Sequence, residues 1–131
     1  MQRTQSFPVR ESTQFREYTV TLPDSERIYS LRFDPVHDKY LAEIDIEWIR
    51  FFSIDKTALH EIANKDFEQW VCTNCVIFPE DEKELFSVQV TDKDPFITSP
   101  LIDQEDVKYL RIRMRIVSKV TFWQWVLGIS N

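Results

Sequence analysis

The segment Val107–Val117 limits the fold more sharply than any other stretch of the chain. In VKYLRIRMRIV, Leu110, Ile112, Met114 and Ile116 alternate without a break with Arg111, Arg113 and Arg115. A period of two puts the four apolar side chains on one face of a strand and the three guanidiniums on the other. Such a strand needs neighbours to complete its hydrogen bonds and a second apolar layer to cover its buried face. The chain supplies further runs of the same period: Tyr18, Val20 and Leu22 alternate with Glu17, Thr19 and Thr21, and Tyr29, Leu31, Phe33 and Phe86, Val88, Val90 repeat the pattern. Turn signals separate them at Pro23-Asp24-Ser25, Asp34-Pro35, Thr91–Pro95 and Ser99-Pro100.

These patterns predict an all-β, antiparallel sandwich with at most one short helix. At 131 residues the chain suits a single domain over 1–131, with 1–14 as a loose leader and an edge strand beginning near Phe15. In the segment Tyr40–Phe52 the apolar phase slips after Trp48, as at a bulge or where a strand becomes buried on both sides. The one helix candidate is Asp55–Asn64, with Asp55 as its cap and Leu59 and Ile62 on one face.

Composition removes several functions. The net charge of −6 argues against nucleic acid, whose phosphates need clustered Lys and Arg. No apolar run approaches the roughly 20 residues that span a bilayer, so a transmembrane chain is not expected. The leader lacks the apolar stretch of a secretory signal. Gly128 is the single glycine, which excludes phosphate loops, dinucleotide fingerprints and glycine-flanked nucleophile elbows. Cys72 and Cys75, in CTNC, are half of a zinc ribbon without the other half. On one strand their odd spacing would turn them to opposite faces, and two packed thiols in a reducing, cytoplasmic compartment are the simplest reading.

The remaining chemistry is sparse. His37 and His60 are the only histidines, and neither stands in a nucleophile context, so no enzyme is expected. No cofactor is required; Asp92-Lys-Asp94 would suit one structural calcium, though it lacks the glycine and distal glutamate of an EF-hand. The arginine row carries two readings. It is either a solvated face neutralised by cross-strand carboxylates, or a polar sheet face that holds an anionic or hydroxyl-rich ligand by forked hydrogen bonds. Trp48, Trp70, Trp123 and Trp125 offer rings that stack on sugars or fill the core.

Several segments resemble a jelly-roll, carbohydrate-binding-like module found beside bacterial glycosyltransferases. Ser30-Leu-Arg-Phe-Asp-Pro-Val36 and Ala42-Glu-Ile-Asp-Ile-Glu-Trp-Ile-Arg50 are similar to its closing part. Asp94-Pro-Phe-Ile-Thr-Ser-Pro100, Tyr109-Leu-Arg-Ile-Arg-Met-Arg115 and Thr121-Phe-Trp-Gln124 look like its opening part, so the order here is permuted. The pieces would close one sandwich or exchange strands with a second copy. The resemblance implies a galactose-binding-like accessory module that binds a saccharide or docks on a neighbouring glycosyltransferase domain. Arg113, Arg115 and Trp123 match its motifs, and Arg111 joins them through the arginine row as an expected ligand contact. The alternative is a structural sandwich that docks on a catalytic domain or forms a homodimer.

Overall fold

The computed structural model describes residues 2–10, 12–35, 43–77, 85–91, 94–117 and 122–130. Among the described residues, eleven strands follow one another: β1 (Gln2–Arg10), β2 (Arg16–Ile28), β3 (Ser30–Pro35), β4 (Glu43–Phe52), β5 (Ala58–Ala63), β6 (Val71–Thr73), β7 (Cys75–Ile77), β8 (Phe86–Val90), β9 (Phe96–Thr98), β10 (Gln104–Val117) and β11 (Phe122–Ser130). A 3-10 turn, Asn64–Phe67, separates β5 from β6. One sheet has the order β1-β11-β3-β9-β6, and the other β2-β10-β4-β8-β7 with β5 also on β4.

The order has a simple generator. Strand β1 pairs β11, β2 pairs β10, β3 pairs β9 and β4 pairs β8, all antiparallel. A long ribbon, β1 to β4 against β11 to β8, is therefore rolled up so that its successive steps alternate between the two sheets. That winding is a jelly roll. Strands β5, β6 and β7 are inserted where the ribbon turns back on itself.

The core lies between the sheets and is built from the alternating runs. Leu110, Ile112, Met114 and Ile116 of β10 are fully buried, against Ile44, Ile46, Ile49 and Phe51 of β4 and Val20 and Leu22 of β2. Leu31, Phe33, Ile97 and Leu127 cover them from the other sheet. Toward β8 the core becomes aromatic, with Phe67 stacked on Phe86 at 4.7 Å and Trp70 against both Phe67 and Phe33. Both β10 and β4 are interior strands, and β2 is an edge, as expected of the strand beginning near Phe15.

The phase slip in β4 is a β-bulge. Arg113 faces Trp48 and Met114 faces Ile46, so Glu47 is the extra residue. Before it Ile44 and Ile46 point inward; after it Ile49 and Phe51 do, and all four are at 0% exposure. The inserted residue thus reconciles two apolar runs of opposite parity with one continuous core.

Three expectations are corrected. Residues 2–10 form a strand rather than a loose leader: β1 pairs β11 over its whole length and buries Phe7. Its partner is at the far end of the chain, and a polar edge strand has no local apolar signature. Asp55–Asn64 is not a helix but a hairpin loop and strand β5. Short isolated helices are marginal, whereas β5 gains Ile49↔Ile62, an Arg50–Glu61 ion pair at 3.0 Å and a Phe51–His60 stack at 5.7 Å. Pro23-Asp24-Ser25 does not end a strand. Strand β2 passes from Thr21 to Glu26 while β10 passes only from Tyr109 to Val107, and the surplus is a wide irregularity that Lys108 Nζ ties down by donating to Pro23 O at 2.8 Å.

The scarcity of glycine is met by other residues. Asn64, Asn74, Asp94, Asp103 and Asp106 take left-handed backbone conformations, as Asn and Asp do more readily than other side chains. Lys56, at φ 66°, is the exception.

Candidate functional site

The outer face of the six-stranded sheet is a grid of side chains from β2, β10 and β4. Its rows follow from register. Arg115 stands opposite Asp45; Arg113 lies between Glu17 and Trp48; Arg111 lies between Thr19 and Arg50; Tyr109 lies between Thr21 and Phe52. The alternation on β2 runs Glu17, Thr19, Thr21, so it offers a carboxylate to Arg113 and only hydroxyls beyond it.

The arginine row is consequently divided. Arg115 Nε donates to Asp45 Oδ2 at 2.6 Å, and Asp45, at 2% exposure, also accepts from Ser87 Oγ at 2.6 Å. Arg115 further donates to Thr13 O at 3.2 Å. Arg113 Nε donates to Glu47 Oε2 at 2.6 Å, and its other arm is 3.5 Å from Glu17. Phe15 lies under both guanidiniums, at 4.6 Å from Arg115 and 5.7 Å from Arg113. The bulge residue Glu47 is therefore also an electrostatic partner. These two arginines follow the solvated-face reading, with their charge neutralised in place.

Arg111 does not. It has no carboxylate partner among the described residues and rests against the Phe52 ring, 5.4 Å from its centroid. Its cross-strand neighbour on β4 is a second cation, Arg50, whose own charge is committed to Glu61 and to the face of Trp48 at 3.7 Å. Like charges directly opposite one another destabilise a sheet unless something negative lies between them.

A cleft opens beside Arg111. It encloses about 350 Å³ and is lined by Thr19, Thr21, Phe52, Lys56, Tyr109 and Arg111. Lys56 comes from the β4–β5 hairpin, where its N–H donates to Ser53 O at 2.9 Å and Ser53 N–H returns to Thr57 O at 3.0 Å. Asp55 accepts from Ser53 Oγ and from Thr57 N–H, bonds that hold its carboxyl below the usual carboxylate range. These bonds fix the left-handed Lys56, which also lacks a carboxylate partner among the described residues. Two cations without a described carboxylate partner, three hydroxyls and two aromatic rings thus converge on one cavity of ligand size.

Of the other expected ligand contacts, Arg113 and Arg115 line the same face but sit outside the cleft lining. Trp123 lies on β11, in the other sheet, where it pairs with Val9. Trp70 is core, and Trp48 is buried beneath Arg50. Asp92 and His37 fall outside the described residues, and among those described no three His, Cys, Asp or Glu side chains are grouped to hold a metal. No described helix is long and apolar enough to cross a membrane. Lys56 is hidden in the sequence because its segment has the pattern of a helix; the change from Glu17 to Thr19 on β2 is the available signal for Arg111.

No family model and no curated protein matches the chain. Among solved structures it is similar to that of infectious bursal disease virus Gx strain, at a TM-score of 0.40 and 9% identity, over 98% of this chain and 33% of that one. This chain therefore spans about a third of that neighbour. It is also similar to the Macrobrachium rosenbergii nodavirus P-domain, at a TM-score of 0.32 and 9% identity, over 99% and 94% of the two chains. The assignment of the jelly roll stands on the strand order itself.

Proposed function

We propose that this sandwich is a non-catalytic, carbohydrate-binding-like module whose ligand carries a negative charge. One observation supports this above the rest: Arg111 and Lys56, neither neutralised by a described carboxylate, meet Thr19, Thr21 and Tyr109 in the same cleft. In a chain of net charge −6, a pair of cations without a described carboxylate partner, beside a third cation at Arg50, is a local reversal of sign. The guanidinium fork suits a carboxylate, sulfate or phosphate substituent, the hydroxyls suit ring hydroxyls, and Phe52 and Tyr109 offer apolar faces to a sugar ring. The segment resemblance, rather than the cleft, supports a neighbouring glycosyltransferase domain as the setting in which the saccharide is held.

The test is an NMR titration of labelled protein with matched neutral and acidic oligosaccharides, repeated on Arg111→Ala and Lys56→Ala. Acidic ligands should shift resonances of Thr19, Thr21, Tyr109 and Arg111. Loss of one charge-assisted contact, worth about 1.5–3 kcal/mol, should weaken binding about ten- to hundredfold. A spectrum unmoved by the whole panel would sink the reading. A docking role is the second reading, favoured by Val71 and Val76, which are 58% and 49% exposed on the edge strands β6 and β7.

A further inference from the structure

The two cysteines do not share a strand. Cys72 is on β6, the last strand of one sheet, and Cys75 is on β7, the last strand of the other. Between them Asn74, at φ 58°, turns the chain from sheet to sheet. A left-handed residue at this point brings the Cys75 side chain back against the Thr73↔Phe96 rung of β6 and β9, next to the Cys72↔Ile97 rung, so the two cysteines are neighbours. Cys75 Sγ also donates toward Thr73 O at 3.4 Å and Phe96 O at 3.7 Å. Both residues are free thiols and half-buried, within reach of a small reagent. Interaction with its neighbour pulls the Cys75 thiol down, against burial, and the same interaction together with burial pushes Cys72 up. The pair is thereby divided into an attacking sulfur and a resolving one.

We propose that Cys72 and Cys75 are a modification site, a dithiol that exchanges with a small-molecule disulfide to form an internal disulfide joining β6 to β7. The Cys75 thiolate attacks one sulfur of oxidised glutathione; that S–S bond breaks and one glutathione thiolate leaves. The Cys72 thiol loses its proton to solvent and attacks the Cys75 sulfur, expelling the second glutathione thiolate. Both thiolates take up protons, so two protein thiols are oxidised as one glutathione disulfide is reduced to two thiols. The product is a covalent link between the two sheets along the side of the sandwich where β6 and β7 are outermost.

The experiment equilibrates the full chain in buffers of graded oxidised-to-reduced glutathione, folded and in urea, traps thiols by alkylation and weighs the products. Preorganisation by the fold should let the folded chain close its disulfide at a ratio about tenfold more reducing than the denatured chain. Cys72→Ser should stop at one glutathione adduct on Cys75, formed faster than the adduct on Cys72 in Cys75→Ser. Equal oxidation midpoints for folded and denatured chain would overturn the proposal. So would a folded Cys72→Ser protein that takes up glutathione no faster than Cys75→Ser.

Discussion

Two arginines four residues apart on β10 have opposite roles, and their substitution separates structure from binding. Arg115 holds the buried carboxylate of Asp45; truncating it leaves that oxygen short of a partner, although Ser87 still donates to its neighbour. We expect Arg115→Ala to cost about 1–3 kcal/mol in urea denaturation. Arg111→Ala removes a repulsion with Arg50 and no described ion pair, so its stability should stay within about 0.5 kcal/mol of the parent. A larger loss at Arg111 than at Arg115 would mean the charges are distributed otherwise. The sequence alone presents both as equal members of one periodic row. What distinguishes them is the side chain directly across, and that depends on register.

The bulge in β4 makes a prediction at the level of the strand. Without Glu47, Ile46 would point inward, Trp48 outward and Ile49 inward, so one deletion restores a regular ladder with the core unchanged. Deleting Glu47 should therefore give a folded protein that has lost the Arg113 partner, at a cost of about 1 kcal/mol. Deleting Arg50 instead turns Phe51, now fully buried, to the outer face, and the protein should fail to show a cooperative melt. Circular dichroism melts of the two variants compare them directly. Strong alternation made β2, β3, β4, β8 and β10 legible in advance, and the slip at Trp48 announced the bulge. Strands β1 and β5 were not legible, since β1 is ordered by β11 from the other end of the chain and β5 by its pairs on β4. The cleft shared that fate: Arg111 stood out, but Lys56 reaches it only through a hairpin that local helix preference conceals.

Acid should loosen the molecule as a whole through two exposed turn carboxylates. Asp55 is lowered by its bonds from Ser53 and Thr57, and Asp103 by its bond from Arg27 at 2.6 Å. Folded values below the ordinary 3.8 mean that their contribution is complete above that pH and is lost as pH falls through the lowered values. Melting temperature should drop on acidification below pH 3.8, and an Asp55→Asn, Asp103→Asn double variant should show a smaller drop. An identical acid limb in the double variant would remove these groups from the account. The rolled ribbon also has a mechanical consequence. Gln2 is paired with Ser130, so tension entering the sandwich through these two residues meets one rung of the β1–β11 ladder at a time, beginning with that pair and ending at Arg10↔Phe122. Under load the jelly roll would peel like a zip from its outermost seam, yielding at low force, while the same strands pulled along their length would resist as a block.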